Sequence, residues 1–265
     1  MDMRMKGKNV LVTGSTAGIG KGVAEAFAAE GAHVWINGRS ADAVEAAVAQ
    51  LGSAYPAARV RGVAADISLP GEADRLYGAC TQDAPLDVLV NNVGTYKAVP
   101  FGRITDEEWR RLFDVNVMSV VRVCRRALPD MMQRGFGRIV VIASESAVRP
   151  RGDMTHYSAT KSCLIGLARA LAETTKGTNV TVNSVLPGVT WTEGVRGNVT
   201  RCAQSAGIPL ERATAEYFTT GNNPTSLIQR FLTVEEVAQA VLLTACNAGM
   251  SGGALLIDGG VVRHI

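Results

Sequence analysis

Apolar residues fall in seven short, nearly unbroken runs along the chain. Between the runs lie longer stretches in which apolar positions recur every three or four residues. The runs are NVLVT (9–13), HVWIN (33–37), RVRGVAA (59–65), LDVLVNN (86–92), GRIVVIAS (137–144), NVTVNSVLP (179–187) and ALLIDG (254–259). Continuous β-branched hydrophobicity predicts strands covered on both faces. The stretches with helical period include GIGKGVAEAFAAEGA, SADAVEAAVAQLG, GEADRLYGACTQ, TDEEWRRLFDVNVMSVVRVCRRALPDMMQRG, TKSCLIGLARALAETTKG and TVEEVAQAVLLTAC. Gly31, Gly52, Gly135 and Gly177 stand where left-handed C-caps are expected to end helices. Thr105 with Glu108, and Thr233 with Glu236, have the spacing of capping boxes. Strict alternation of the two patterns predicts one α/β domain over residues 1–265. Its core is a doubly wound parallel sheet of about seven strands, with helices on both faces and right-handed crossovers. Only residues 188–232 break the rhythm, and such a long irregular segment in a compact domain predicts a lid over a site.

Composition narrows the function more by exclusion than by suggestion. The 265 residues are 47% hydrophobic and only 5% aromatic, with 28 glycines, which suits a buried parallel sheet. A net charge of +3 from scattered basic residues gives no reason to expect nucleic acid or an anionic membrane as partner. No apolar run approaches the ~18 residues of a spanning helix. The opening MDMRMKGKNV has no apolar stretch of the kind a secretory signal requires. Cys80, Cys124, Cys163, Cys202 and Cys246 are odd in number and dispersed, which predicts free thiols in a reducing cytoplasm. His33, His156 and His264 are too isolated for a metal site of the usual spacing, so no metal is expected.

Candidate chemistry begins at TGSTAGIG (13–20), between the first strand and the first helix. Glycines at 14, 18 and 20 permit a tight turn, close backbone approach to a pyrophosphate and close helix–strand packing. The helix N-terminus then supplies free N–H groups and a positive dipole end. The second strand ends INGRS (36–40), with Asn37 where a dinucleotide fold would place an acidic ribose ligand, and Arg39 and Ser40 just beyond. An arginine there favours a 2′-phosphate, hence NADP(H) over NAD(H). The alternative is that Arg39 merely opens the next helix in solvent. Asp66, after the third strand, is expected to accept from the adenine amino group. The sequence HYSATK (156–161) sets Tyr157 and Lys161 four apart, side by side on one helix face, in a chain with 5 tyrosines and 6 lysines.

Together these motifs resemble the short-chain dehydrogenases/reductases in their single-domain form, over essentially the whole chain. TGSTAGIG is similar to the family's T-G-x-x-x-G-x-G, NNVG (91–94) to its N-N-A-G, and YSATK to its Y-x-x-x-K. DVNV (114–117) supplies the asparagine, Asn116. Ser144 lies thirteen residues before Tyr157, and LPG (186–188) matches the turn after the sixth strand. The resemblance implies Asn116, Ser144, Tyr157 and Lys161 as the catalytic set. It also implies a cofactor site from Gly14, Ser15, Thr16, Gly18, Ile19, Gly20, Asn37, Arg39, Ser40, Asp66, Ile67, Asn92, Val93, Gly94, Tyr157, Lys161, Pro187, Gly188, Val189, Thr190 and Thr192. Val93 replaces the usual alanine and is expected to crowd the backbone beside the cofactor.

On this resemblance Tyr157 is the general acid in reduction and the base in oxidation, and the charge of Lys161 is expected to lower its pKa. Lys161 would also hold the nicotinamide ribose, Ser144 would bond the substrate oxygen, and Asn116 would hold a water that relays protons. Homotetramers or dimers are implied, through two long helices (about 105–134 and 155–176) and the last strand.

The substrate is a small carbonyl/alcohol pair that the sequence does not identify. Pocket candidates are Thr95, Tyr96 and Lys97, residues 145–155, and the lid with Trp191, Tyr217, Phe218 and Phe231. Lys97, Arg149 and Arg151 either recognise an anionic substrate group or are solvated loop charges. Glu145 and Ser146 are loop polarity, packing, or part of the site, and His156 either touches substrate or fills space. Three function classes follow. They are an NADP(H)-dependent oxidoreductase, with 3-oxoacyl-thioester reduction as one specific activity, a non-catalytic nucleotide-binding sensor or scaffold, and a sugar-nucleotide epimerase or dehydratase.

Overall fold

A computed structural model of the chain describes residues 3–263; His264 lies outside the described residues. Seven strands form one sheet: β1 (Asn9–Val12), β2 (His33–Gly38), β3 (Val60–Ala64), β4 (Val88–Asn91), β5 (Gly137–Ile142), β6 (Val180–Pro187) and β7 (Ala254–Ile257). Their order is β3-β2-β1-β4-β5-β6-β7, and every pairing is parallel. β1, β4, β5 and β6 are buried along their whole length, which accounts for their unbroken apolar runs. The fold is the Rossmann-type sheet that alternation predicts. The direction of winding reverses between β1 and β4, which opens a crevice at the carboxyl ends of those strands.

Helices α1 (Gly18–Ala29), α2 (Ala41–Ala54) and α9 (Val234–Cys246) cover one face. There Phe27, Val44, Leu51 and Val241 pack on Val10, Val12 and Ile36. The other face carries α3 (Glu72–Thr81), α5 (Ser119–Arg134) and α6 (Thr155–Thr174), whose Leu76, Val123, Met131 and Leu164 pack on Leu11, Leu89 and Ile139.

The structure departs from the sequence reading in four places. The helix expected over 105–134 is divided into α4 (Asp106–Phe113), one π-helical turn (Asp114–Met118) and α5. Gly52 does not end a helix: α2 runs through it to Ala54, and its φ is not positive. Gly135 does take the left-handed C-cap, with φ 70°. At Thr105 only the forward half of the box forms, because the Glu108 carboxylate is held by Arg111; at Thr233–Glu236 both halves form.

The fourth departure is the segment 188–232, which contains α7 (Glu193–Ala206) and α8 (Leu210–Thr219). These helices bury only Val199 and Ala203, and only Phe218, so they leave no apolar stripe to read. The two ends of the segment meet, and Leu227 N also ties it to Gly259 O after β7 (2.8 Å). Thr190 and Leu232 form a parallel bridge, with Trp191 N donating to Leu232 O (2.8 Å) and Leu232 N to Val189 O (3.0 Å).

Candidate active site

The glycine turn after β1 is built from inside the protein. Gly14 and Gly18 have φ of 61° and 56°, a region that penalises side chains. A Cβ on Gly20 would lie 2.3 Å from Gly14 O, so α1 can approach β1 only with glycine there. α1 starts after Ala17 with no side-chain cap, which leaves its first N–H groups aimed into the crevice. This cradle fits a pyrophosphate.

Three residues expected to touch the cofactor instead frame that turn. Ser15 Oγ donates to Val12 O (2.6 Å) and accepts from Asn37 N (3.0 Å). Asn37 Oδ1 accepts from Gly14 N (3.3 Å), while its Nδ2 donates to Val63 O and Ala65 O (3.1 and 3.2 Å). Asn92 Nδ2 donates to Thr13 O and Gly14 O (3.1 and 2.9 Å). Buried amides must find partners, and these find them in the scaffold. Thr13, which the motif reading passed over, joins them: its hydroxyl accepts from Asn92 N (2.9 Å).

The remaining cofactor candidates surround the cradle. Thr16 touches Gly38, where a Cβ would lie 2.6 Å from Thr16 Cγ2, and so brings the end of β2 beside the turn. Arg39 is exposed there and pairs with no carboxylate among the described residues. Ser40 caps α2 by accepting from Ala43 N (3.4 Å). Asp66 Oδ1 accepts from Ser68 N and Oγ (3.1 and 2.6 Å), and Ile67 is buried next to it. Ile19 packs under the turn, and Val93 Cγ2 lies 3.1 Å from where a Gly14 Cβ would stand. On the far side β6 ends at Pro187. Gly188 passes so close to Asp258 Cα that a Cβ would lie 2.7 Å from it. Val189 and Thr190 form the neck of the segment, and Thr192 caps α7 with its methyl against Gly18.

Ser144 follows β5, and Tyr157 and Lys161 lie on the first turns of α6. Burial pushes the Tyr157 phenol well above its ordinary range, and its hydrogen bond to Ser144 opposes that only in part. Lys161 Nζ donates to Ile142 O (2.8 Å) and sits 5.7 Å from the Tyr157 ring centroid. Burial drives its own pKa down to about 8. In this structure burial is the largest influence on the phenol and raises its pKa, opposite in direction to the effect expected of Lys161.

Asn116 sits on the π turn, fully buried. Such turns are rare and recur at functional sites. Its Oδ1 accepts from Thr95 N (2.8 Å), and its Nδ2 donates to Thr95 O and Thr160 Oγ1 (both 3.0 Å). Thr160 Oγ1 in turn donates to Tyr157 O (2.7 Å). The carboxamide ties the loop after β4 to α6. Gly94 lies between Asn116 and Lys161, and a Cβ there would be 3.3 Å from Lys161 Nζ.

Next to Ser144 is a buried carboxyl group. Ser144 Oγ donates to Glu145 Oε2 (2.7 Å) and accepts from Ser146 N (3.1 Å). Burial raises the Glu145 pKa. The signal in the sequence was an acidic residue directly after the serine, and only the hydrogen bond distinguishes it from loop polarity.

The lid leans on this centre. The Tyr96 and Tyr157 rings meet edge-on at 6.0 Å, and Asn198 of α7 donates to Tyr96 Oη (2.8 Å). Trp191, Tyr217, Phe218 and Phe231 form one aromatic cluster, with centroids 4.5–5.1 Å apart in successive pairs. Arg149 donates to Asn223 (2.9 Å), and Arg151 to Asp153 (3.0 and 2.7 Å) and Asn222 (3.4 Å). Both arginines thus reach residues of the 188–232 segment. Lys97 stays exposed, close enough to Glu108 and His156 to influence their charge. His156 is buried edge-on against Trp109 (5.9 Å) with neither ring nitrogen bonded to protein, and burial lowers its pKa. It packs on α4 and fills space. Among the described residues no three His, Cys, Asp or Glu side chains gather as a metal site.

Comparison with known proteins agrees with this geometry. Residues 8–202 match the family described as short chain dehydrogenase. The chain is 47% identical over 267 residues to the uncharacterized oxidoreductase YvrD of Bacillus subtilis, covering 100% of both chains. It is 36% identical over 264 residues to D-beta-hydroxybutyrate dehydrogenase of Cupriavidus necator, covering 98% of this chain and 100% of that one. Among solved structures, L-sorbose reductase of Gluconobacter frateurii, complexed with NADPH and L-sorbose, superposes with a TM-score of 0.92 at 31% identity over 100% of both chains. The sheet order, the glycine cradle and these matches converge: the chain belongs to the short-chain dehydrogenase family and is an oxidoreductase acting on CH–OH groups.

Proposed function

We propose that the protein reduces a small polar carbonyl compound to a secondary alcohol with NADPH, and runs the reverse reaction with NADP+. The observation that carries this reading is the convergence of Ser144, Tyr157 and Lys161 at the strand ends that also hold the glycine cradle. When bound, the nicotinamide supplies or accepts the hydride. The turn at residues 14–20 and the first N–H groups of α1 would hold the pyrophosphate, and Lys161 the ribose. Ser144 fixes the substrate oxygen. Tyr157, kept protonated by its burial, gives its proton to that oxygen as charge develops. Asn116 holds α6 in register with the loop after β4. The lid excludes water and strengthens these interactions.

Two features support the finer points. Arg39, exposed at the end of β2 and unpaired, suits a 2′-phosphate. Glu145 bonds Ser144, Tyr96 meets Tyr157 and accepts from Asn198, and Tyr217 lies near Glu145; polar groups around the serine and tyrosine suit a hydroxylated molecule better than a long acyl chain. L-sorbose reductase, which aligns over its full length, has a substrate of that kind in its complex. No helix among the described residues is long and apolar enough to cross a membrane, and a cytoplasmic homo-oligomer is the assembly we infer from the family.

The test is the loss of reduced-nicotinamide absorbance with a panel of ketoses, 3-oxo acids and 3-oxoacyl thioesters, each with NADPH and NADH. No turnover on any member would favour a binding module. Arg39→Ala should raise KM for NADPH about tenfold, the scale of one charge-assisted hydrogen bond, and leave KM for NADH unchanged. Equal wild-type efficiency with the two cofactors would remove the role given to Arg39.

A further inference from the structure

The Ser144 hydroxyl has a single proton, and in this structure it is already used. Ser144 Oγ donates it to Glu145 Oε2 at 2.7 Å and accepts from Ser146 N at 3.1 Å. A serine so arranged cannot also donate to a substrate carbonyl. Glu145 is 8% exposed, and its second carboxyl oxygen lies 3.5 Å from Ser146 Oγ. A buried acceptor this close, one residue from the serine, does more than fill the loop.

We propose that Glu145 is a positioning residue whose protonation state decides where the Ser144 proton points. With Glu145 ionised, Ser144 Oγ–H is held on the carboxylate. With Glu145 protonated, its O–H donates to Ser144 Oγ, and the serine proton turns to the substrate oxygen. No covalent bond changes in this step; one proton is taken from solvent and two hydrogen bonds reverse. The inference rests on the oxidoreductase reading of the site.

The surroundings make the protonated form accessible. Burial in the site raises the Glu145 pKa, while Arg151 and the Ser144 hydrogen bond act against that rise. Tyr157 and Tyr217 face the carboxyl group from α6 and α8, and ionised Glu145 disfavours charge on either phenol. Lys161, on α6, is the second cation that senses it. Arg151 already pairs with Asp153, so its pull on Glu145 is shared.

The consequence is a limb in the pH profile of kcat that falls as pH rises, and falls in both reaction directions, because a substrate oxygen needs the serine proton in either. The Tyr157 limb reverses its sign with direction, since the group is an acid one way and a base the other. Lys161, which loses its proton near pH 8, can also give a falling limb, so variants must separate the two.

Glu145→Gln places an amide N–H permanently on Ser144 Oγ. It is expected to abolish the Glu145 limb and to raise kcat at the alkaline end about tenfold in both directions, the scale of releasing one hydrogen bond to a charged group. Ser144→Ala should abolish the same limb at a lower overall rate, because Glu145 acts only through that hydroxyl. The Lys161 limb should survive in both. If both falling limbs persist in Glu145→Gln, the proposal is overturned; if that variant does not fold, persistence of both in Ser144→Ala overturns it equally. Substantial turnover by Tyr157→Phe would overturn the acid–base reading of the whole site, a separate failure.

Discussion

Replacing Tyr157 by phenylalanine is expected to lower kcat by about 10²–10⁴-fold, the usual contribution of a positioned general acid. Cofactor affinity should stay within about threefold of wild type, less than one ordinary hydrogen bond is worth. The ring remains, so its edge-on contact with Tyr96 and the packing of α6 are retained. What goes is the O–H that burial keeps protonated. Because Tyr157 is neutral over the physiological range, wild-type reduction should not lose this group as pH rises through 7 and 8. Stopped-flow reduction of the best ketone, together with fluorescence titration of NADPH, checks both statements. A variant with tens of per cent of the rate would place the acid elsewhere.

Lys161→Met should lose turnover on a similar scale and yet gain stability. The wild-type ammonium is 4% exposed, and burial lowers its pKa from 10.5 to about 8. At ~1.36 kcal/mol per unit, keeping the charge there costs roughly 3 kcal/mol. The variant also leaves Ile142 O without its partner at 2.8 Å, a loss of about 1 kcal/mol. The desolvation cost is larger, so Lys161→Met should be more stable at pH 7 by roughly 1–2 kcal/mol.

The sign with pH follows from proton counting. Below about pH 8 the lysine is charged both folded and unfolded, and the cost is constant. Between about 8 and 10.5 the unfolded chain holds a proton that the folded one lacks, so wild-type stability rises with pH. The advantage of the variant should therefore shrink across that interval. Urea denaturation at pH 7 and pH 10 measures it, and an advantage that grows with pH would contradict the burial argument.

The sheet was legible in the sequence because strands buried on both faces read as apolar runs without polar alternation, as β1 and β4 show. The lid helices were not legible, since α8 is anchored by Phe218 alone and one buried residue sets no period. The glycine turn, Ser144, Tyr157 and Lys161 could be named from motif spacing. How they work could not, because burial is a property of the assembled site. Lys161 was expected to tune a phenol, and Arg149 and Arg151 either to bind a substrate group or to lie in solvent; burial lowers the lysine pKa to about 8, and the arginines are fastened to Asn222, Asn223 and Asp153. Likewise Asn37 and Asn92 read as ligands in a list of motif positions, but once buried their amides had to bond to the scaffold. The break at Asn116 is invisible to helical periodicity, because a π turn shifts the phase by one residue without altering composition.

The bridge between Thr190 and Leu232 has a consequence for how such a protein changes over time. Entry and exit of the segment are pinned to each other by main-chain bonds, which do not depend on the side chains between them. Insertions, deletions and substitutions beyond the neck can therefore accumulate without straining β6 or the start of α9. New substrate preferences can be tried in this excursion while the sheet and its acid–base centre stay fixed, which is a structural basis for evolvability. The arginines at 149 and 151 set the limit to that freedom, because an exchanged lid must bring its own acceptors for them.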